Sequence, residues 1–163
     1  MYIIVGLGNP GDEYAHTRHN TGRMTLAYLE KKELAGVKFV HLDTFMNKSG
    51  GAVAKVIKTK KAAGKLVVIH DDLDLPLGGL KISYGRGSGG HKGVESIIKA
   101  LKTKEFIRLR IGIGKKGDAE KYILGQFKKS ETEILKKVFK HASDAVAVVV
   151  EKGLTRAMTE FNI

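Results

Sequence analysis

The sequence predicts an α/β fold, with residues 1–163 forming a single domain around one twisted, mixed but mostly parallel β-sheet flanked by helices on both faces. Three observations predict it. Short apolar runs such as "YIIV" and "KLVVIH" are typical of buried strands. Segments such as "HKGVESIIKAL" carry apolar residues at helical spacing. Strands and helices alternate along the chain without repeats or linkers.

The elements follow in order along the chain. After the strand "YIIV", a helix is expected over residues 21–35 and a strand in "VKFVHLDTF". Ser49 is a candidate cap for a helix that runs to Ala63, and the strand "KLVVIH" follows. The strands "LKISY" and "IRLRIGIG" flank the helix over residues 91–101. "YILGQF" is interpreted as a short extended piece. Ser130 and Glu133 predict a capping box for a long final helix that stops at Gly153.

Charge and composition narrow the function classes. The 29 basic residues exceed the 17 acidic ones and give a net charge of +12, which fits a polyanionic partner such as RNA but equally a lysine-rich surface that keeps the protein soluble. The absence of cysteine suits the cytoplasm. No apolar run is long enough to span a bilayer, and the N-terminus lacks the pattern of a signal peptide.

The stretch "GLGNPG" matches the G-x-G-x-x-G fingerprint of dinucleotide-binding folds, and Glu30 lies where that fingerprint expects an acid. A nucleotide-dependent oxidoreductase is therefore one alternative. However, Gly11 is followed by "DEYAHTRHN", which has no apolar helical stripe, and Asn9-Pro10 favours a turn. We therefore interpret the stretch as a strand-ending turn that presents Asn9.

Polar side chains follow the predicted strands, where open α/β sheets bind their ligands. They include Asn9 and His19 after the first strand, Asn47 after the second, Asp71 after the third and His91 after the fourth. A histidine oriented by a carboxylate is a general base for water, and asparagine can position a carbonyl or stabilise an oxyanion. A divalent cation bound by the clusters "HTRH" and "HDDLD" is the competing interpretation.

Six motifs in order, "IVGLGNPGDEYAHTRHNTG", "TFMNKSG", "HDDLDLPLG", "GSGGHKG", "FIRLRIGIG" and "YILGQF", resemble bacterial-type peptidyl-tRNA hydrolase. The resemblance implies a cytoplasmic, monomeric enzyme without metal, cofactor, membrane association or obligate protein partner. It implies hydrolysis of the ester between a peptide and the terminal ribose of tRNA, which recycles tRNA from aborted translation.

The resemblance also implies roles for individual residues. His19 matches the catalytic base, Asp71 the carboxylate that orients it, and Asn9 a residue that holds the water or substrate. Arg110 matches a residue that binds tRNA phosphate. The expected substrate-binding residues are Tyr14, Met46, Asn47, Gly89, Gly90, His91 and Lys92.

Three departures from the family pattern are visible. Lys92 replaces the usual asparagine, which places a cation near the cleft and disfavours protonation of His19. Ser83 stands where a second phosphate-binding lysine is expected, and Lys81, two residues away on a predicted strand, is the candidate substitute. The segment before Thr44 is short and is expected to lack an edge strand. A non-catalytic RNA-binding module on the same fold is the alternative function.

Overall fold

The computed structural model describes residues 1–162, and within them five strands form one sheet. The strands are β1 (Tyr2–Gly6), β2 (Val37–Val40), β3 (Leu66–Asp72), β4 (Leu80–Tyr84) and β5 (Ile107–Gly112). Their spatial order is β2-β1-β3-β5-β4, and only β4 is antiparallel to its neighbour. The predicted fold class, a mixed but mostly parallel sheet, is confirmed.

Helices cover both faces of the sheet, as predicted. They are α1 (Thr21–Glu30), α2 (Ser49–Ala54), α3 (Lys60–Ala63), α4 (Lys92–Leu101), α5 (Ala119–Leu124), α6 (Thr132–Lys152) and α7 (Leu154–Phe161). One apolar core lies between the sheet and α1, α6 and α7, and a second lies between the sheet and α2, α3 and α4. The central strands are buried on both faces, which explains their nearly continuous apolar sequences.

Several predicted boundaries were wrong. The strand predicted over residues 37–45 ends at Val40, and the helix predicted from Ser49 to Ala63 is divided into α2 and α3. The strand predicted in "IRLRIGIG" ends at Gly112, and the first helix ends at Glu30. Despite these differences, each predicted site residue lies at the part of the sheet where it was predicted.

The prediction for "YILGQF" was wrong over residues 122–124, where Asp118 caps a helix, whereas Gly125 is extended and Gln126 forms an isolated β-bridge with Thr17. The Asp118 side chain accepts hydrogen bonds from the amides of Glu120 and Lys121, and α5 runs to Leu124. The capping box predicted at Ser130 and Glu133 was also wrong. The Lys128 amide instead donates to Glu131, and a short 3₁₀ helix leads into α6. The stop at Gly153 is confirmed, whereas α7 beyond it was not predicted.

The loop after β1 shows whether "GLGNPG" is a dinucleotide-binding fingerprint or a strand-ending turn. Gly11 has a φ of +100°, which glycine adopts without strain. The first α-helix begins only at Thr21, so the last glycine of the motif does not open a helix. The predicted strand-ending turn is confirmed, and the geometry required for dinucleotide binding at a helix N-terminus is absent from this loop.

Among residues 1–162, no helix combines the length and apolar character needed to cross a membrane.

Candidate active site

Asp71, at the carboxyl end of β3, lies between two histidines. Its Oδ2 is 2.8 Å from Nδ1 of His19, and its Oδ1 is 2.8 Å from Nε2 of His91. Asp71 is 3% exposed. Both carboxylate oxygens therefore face an imidazole nitrogen in a setting almost without water. We call His19, Asp71 and His91 the inner network.

The tautomer of His91 follows from its position at the N-terminus of α4. Its Nδ1 accepts hydrogen bonds from the amides of Gly93 (3.1 Å) and Val94 (3.3 Å), which makes His91 the N-cap of the helix. An atom that accepts two amide hydrogens carries no proton of its own. The ring proton of His91 consequently lies on Nε2 and is donated to Asp71.

His19 has the complementary arrangement. Its Nδ1 donates to Asp71, and its Nε2 makes no hydrogen bond within the described part of the chain. His19 lines an open cleft, together with Asp71 and His91. Its unshared Nε2 lone pair is therefore the basic nitrogen of the inner network that a molecule in this cleft can use. This is the geometry of a general base held in one tautomer by a carboxylate.

A third histidine, His70, packs behind this network. Its ring centroid is 4.8 Å from that of His91, and its Nδ1 donates to the Asp71 carbonyl at 2.7 Å. Burial, with smaller contributions from His91 and Arg108, holds the pKa of His70 well below its usual value, although the hydrogen bond to Asp71 opposes this. His70 is thus a neutral side chain at physiological pH.

The charge of Asp71 reflects the balance of two effects. Burial alone raises the pKa of its carboxyl group, but the imidazoles of His91 and His19, both hydrogen bonded to it, lower it further than burial raises it. The net direction is downward, so Asp71 is an ionised acceptor at neutral pH. It can accept from both rings at once, and it stabilises an imidazolium that forms on His19.

The same three side chains were tested as a metal site. Their candidate ligand atoms lie within 4.8 Å of one another. A cation on Nε2 of His91 would leave the ring proton on Nδ1, where it would oppose the amide hydrogens of Gly93 and Val94. The hydrogen bonds of His91 therefore fit proton donation to Asp71 and do not fit metal ligation.

Asn9 is fixed from both sides in the turn after β1. Its backbone amide donates to Oδ1 of Asn20 (2.8 Å), and its carbonyl accepts from Nδ2 of Asn20 (2.9 Å). Its side-chain Oδ1 accepts from the Met46 amide at 2.8 Å. Because this amide is a donor, the orientation of the Asn9 side chain is determined, and Nδ2 is left as a donor without a partner within residues 1–162.

Two connected hollows surround the site. The larger has a volume of about 820 Å³ and is lined by the inner network, by the glycine loop with Gly89 and Gly90, and by part of α5. The smaller, of about 600 Å³, lies between α2 and α4 and is lined by Asn47 among others. Lys92 borders both. The volumes are those of ligand-binding clefts.

Comparison with known proteins shows to which family this chain belongs. A family model described as peptidyl-tRNA hydrolase matches residues 3–41 and 34–163. The chain belongs to the peptidyl-tRNA hydrolase family. It is similar to the peptidyl-tRNA hydrolase of Carboxydothermus hydrogenoformans, with 42% identity over 99% of this chain and 98% of the relative. It is equally similar to that of Thermodesulfovibrio yellowstonii, with 40% identity over 99% of each chain.

A solved structure agrees with this assignment. The crystal structure of peptidyl-tRNA hydrolase from Acinetobacter baumannii superimposes with a TM-score of 0.89 and 32% sequence identity, over 99% of this chain and 94% of that one. The predicted resemblance to bacterial-type peptidyl-tRNA hydrolase is confirmed.

This member of the family is short in one place. The two matched pieces of the family model overlap at residues 34–41 of the chain. The alignments to the two relatives span 184 and 185 positions, compared with 163 residues here. The relatives therefore carry residues that this chain lacks, and the break in the family match locates the difference around β2. This agrees with the short segment predicted before Thr44.

The basic residues predicted to bind tRNA phosphate differ in their surroundings. Arg110 donates from Nε to Asp72 (2.7 Å) and from a terminal nitrogen to Ser83 (3.1 Å), so its charge is already paired. Lys81 is exposed and lies directly opposite Arg110 in the β4–β5 register, which places both side chains on one face. Lys81 has no salt-bridge partner among residues 1–162.

Most of the residues predicted for the site meet there. His19, Asp71, His91, Gly89, Gly90 and Lys92 line one cleft, and Asn9 and Met46 are joined by a hydrogen bond. Tyr14 does not line this cleft. It packs edge-on against Phe45 with the ring centroids 6.3 Å apart.

The sequence analysis predicted the burial of neither Arg108 nor Arg18. Arg108 is 5% exposed and donates to the carbonyls of Arg86 and Gly87, which anchors the glycine loop. Arg18 is 7% exposed, lies 4.2 Å from the Tyr122 ring centroid, and pairs with Glu131 at 3.4 Å. Arg18 thus ties the chain next to His19 to α5. Neither role could be predicted from the sequence, because arginine side chains are usually exposed.

Proposed function

We propose that this chain hydrolyses the ester between a peptide, or an N-blocked amino acid, and the 3′-terminal ribose of tRNA, and so recycles tRNA from stalled or aborted translation. One observation carries the proposal. His19 is held by a buried, ionised Asp71 through Nδ1, while its Nε2 is open to a cleft of about 820 Å³. Membership of the peptidyl-tRNA hydrolase family supports the same conclusion.

In the proposed reaction, Nε2 of His19 removes a proton from a water molecule whose oxygen attacks the ester carbonyl. Asp71 keeps the other ring proton on Nδ1 and stabilises the imidazolium. The tetrahedral intermediate then collapses, the bond to the ribose oxygen breaks, and His19 returns its proton to that oxygen. The products are a peptide with a free carboxylate and a tRNA with a free terminal hydroxyl.

Asn9 fits the role of a donor in this reaction. Its Oδ1 is occupied by the Met46 amide, so Nδ2 is the atom that it offers to the attacking water or to the carbonyl oxygen. A fixed donor near a developing negative charge needs no reorganisation during the reaction, which is the usual advantage of such a site.

The peptide is proposed to follow the smaller hollow beside α4. Asn47 lines it, and Gly90 and Lys92 line both this hollow and the larger cleft that holds the inner network. Met46, together with Asn47, is proposed to contact the peptide main chain, and Tyr14 is proposed to lie near the acceptor end. Contacts to the peptide main chain, which is common to every sequence, would explain a broad substrate range.

The tRNA phosphates are proposed to bind near Lys81 and Arg110. Lys81 has no ion-pair partner among residues 1–162, whereas the guanidinium of Arg110 is already paired with Asp72. Lysine and arginine contacts to phosphate release counterions, so binding should weaken steeply with salt. The net charge of +12 is consistent with such a partner.

We further propose that the protein acts in the cytoplasm as a monomer, without cofactor, metal or obligate protein partner. The inner network supplies both the base and its orienting carboxylate from one chain. Light scattering at micromolar concentration should give the mass of a single chain, 17.8 kDa.

The direct test is release of N-blocked amino acid from tRNA by the purified protein, with and without EDTA. Release that chelator leaves unchanged supports the proposal. Release that EDTA abolishes would restore the metal interpretation of the cluster. Retained tRNA binding without any release would favour the alternative, a non-catalytic RNA-binding module on this fold.

The matched variant is His19→Ala. It should lose hydrolysis but remain folded and keep its affinity for tRNA, with a lower melting temperature because Oδ2 of the buried Asp71 loses the Nδ1–H donor of His19. Turnover close to that of the unmodified protein would rule out His19 as the base.

A further inference from the structure

The connection between β2 and the site residues Met46 and Asn47 consists of only residues 41–45. It forms no helix or strand of its own, and it lies next to the place where the family relatives have additional residues. Backbone carbonyls in such a segment still need hydrogen-bond partners where they are shielded from water. The question is what holds this short connection in place.

Arg23, on the first turn of α1, supplies the bonds. Its guanidinium donates from one terminal nitrogen to the carbonyl of Leu42 and to that of Thr44 (3.0 Å). The planar guanidinium carries several donors in a fixed geometry, which suits two carbonyls of one strand-like segment. Leu42 itself is 4% exposed, so the same segment is also anchored by an apolar side chain.

The aliphatic part of Arg23 crosses the turn that carries Asn9. A Cβ atom on Gly8 would lie 2.7 Å from Cδ and 2.8 Å from Cγ of Arg23, so the side chain passes directly over the Gly8 backbone. Gly8 precedes Asn9, and Thr44 lies two residues before Met46. Arg23 therefore joins the two segments that the Asn9–Met46 hydrogen bond brings together.

Burial draws the guanidinium away from water and lowers the pKa of Arg23, while neighbouring Asp43 opposes this change. An arginine in this position is costly unless its donors are used. Its two carbonyl partners, both on the shortened connection, use the donors of one terminal nitrogen, whereas its buried Nε has no hydrogen-bond partner among the described residues.

We infer that Arg23 is a positioning residue that replaces the missing chain: it fixes residues 42–44 against the turn at Gly8, so that the Met46 amide reaches Asn9 and Asn47 faces the cleft. This inference rests on the proposed function only for its effect on catalysis. Its structural part, the placement of Met46 by Arg23, holds for the free protein.

The experiment compares Arg23→Met, which keeps the aliphatic stem and removes the donors, with Arg156→Met. Arg156 pairs with Glu160 on α7 and is 59% exposed, so it serves as the matched control. The first readout is hydrogen exchange at the Met46 amide in the free protein. Arg23→Met should accelerate it at least about tenfold, because the hydrogen bonds to Leu42 and Thr44 are both lost, and leave the β1 and β3 amides unchanged.

The second readout is the Michaelis constants for N-blocked aminoacyl-tRNA. Arg23→Met should lower kcat/KM about tenfold, because the placement of both Asn9 and Asn47 is disturbed while the inner network is intact. Arg23→Lys, which retains one donor group, should restore part of the loss. Arg156→Met should change neither readout.

Two results would overturn the inference. Unchanged exchange at Met46 in Arg23→Met would show that the segment is held by other contacts. Equal acceleration at Met46, β1 and β3 would show that Arg23 merely stabilises the whole fold. If the unmodified protein releases no amino acid from tRNA, the proposed function fails, yet the exchange measurement still decides the role of Arg23.

Discussion

The inner network and the basic residues beside it are built in opposite ways. His19, Asp71 and His91 are buried or nearly so, and the bonds between them involve specific atoms at 2.8 Å. Lys81 is exposed and unpaired within the described chain, and Arg110 shares its charge with Asp72. Proton transfer requires one nitrogen in one orientation, whereas attraction of a polyanion requires only positive charge at roughly the right distance.

We therefore expect substitutions in the inner network to lower kcat strongly and to leave tRNA affinity unchanged. Substitutions among the basic residues should act on tRNA affinity, weakly and in a salt-dependent manner.

The largest effect is expected for Asp71→Asn. Asparagine keeps the shape of the carboxylate but turns one acceptor into a donor, and both imidazole partners are donors. The kcat should fall by about 10²–10⁴, because the tautomer of His19 is no longer held and its imidazolium is no longer stabilised. Single-turnover hydrolysis measures this. Asp74→Asn is the control, since Asp74 is an exposed partner of Lys115, and it should retain kcat.

A smaller effect, mainly on stability, is expected for His91→Ala. It removes a helix cap and leaves Oδ1 of Asp71 without a partner, so the free energy of unfolding should fall by about 2–4 kcal/mol. Asp118→Ala removes only a cap, that of α5, and should cost about 1 kcal/mol. Urea denaturation compares the two. Equal losses would show that the contact between His91 and Asp71 contributes nothing.

The next effect concerns pH. The pKa of His70 is lowered in the folded protein, so between about pH 6.5 and its folded value the unfolded chain binds a proton that the native state does not. Stability should therefore decrease as the pH falls below about 6.5, by at most about 1.4 kcal/mol per pH unit from this residue. Urea titrations at several pH values should show that His70→Gln removes this slope, whereas His141→Gln, at an exposed site on α6, should not. A slope unaffected by His70→Gln would contradict the neutral, buried His70.

The smallest effect is expected for Lys81→Gln. Loss of one phosphate contact should weaken tRNA binding a few-fold and reduce the slope of log affinity against log salt by about 1, with kcat unchanged. Fluorescence anisotropy with labelled tRNA measures both quantities. Lys140→Gln, at an exposed lysine of α6, is the control. An unchanged salt slope in Lys81→Gln would remove this lysine from the tRNA contact.

The same contrast explains which features the sequence could predict. His19, Asp71 and His91 follow different strands, and the rule that parallel strands collect ligands at their carboxyl ends predicts that they meet. The exact atoms do not follow from that rule. That Nδ1 of His91 caps α4 while Nε2 faces Asp71 depends on how α4 packs against β3, which no local pattern contains.

The burial of Arg108 could not be predicted from the sequence either. Arg108 alternates with apolar residues on β5 and therefore suggests a solvent-exposed face. However, the glycine loop lies over this part of β5, and the Arg108 guanidinium is buried there by its hydrogen bonds to the carbonyls of Arg86 and Gly87. In "YILGQF" the aromatic and β-branched residues favoured an extended chain, and the decisive signal was Asp118, just upstream, whose side chain caps a helix.

The central claim is that His19 alone, among the three histidines in contact, provides the base. Chemical rescue tests it most directly: His19→Gly, His70→Gly and His91→Gly are each assayed for release of N-blocked amino acid from tRNA, with increasing concentrations of imidazole. We expect imidazole to restore hydrolysis to His19→Gly and to neither of the other two. Nε2 of His19 is unpaired in the described chain and open to the cleft, whereas the unpaired Nε2 of His70 is buried and Nε2 of His91 donates to Asp71. Rescue of His91→Gly, with none for a folded His19→Gly, would contradict it.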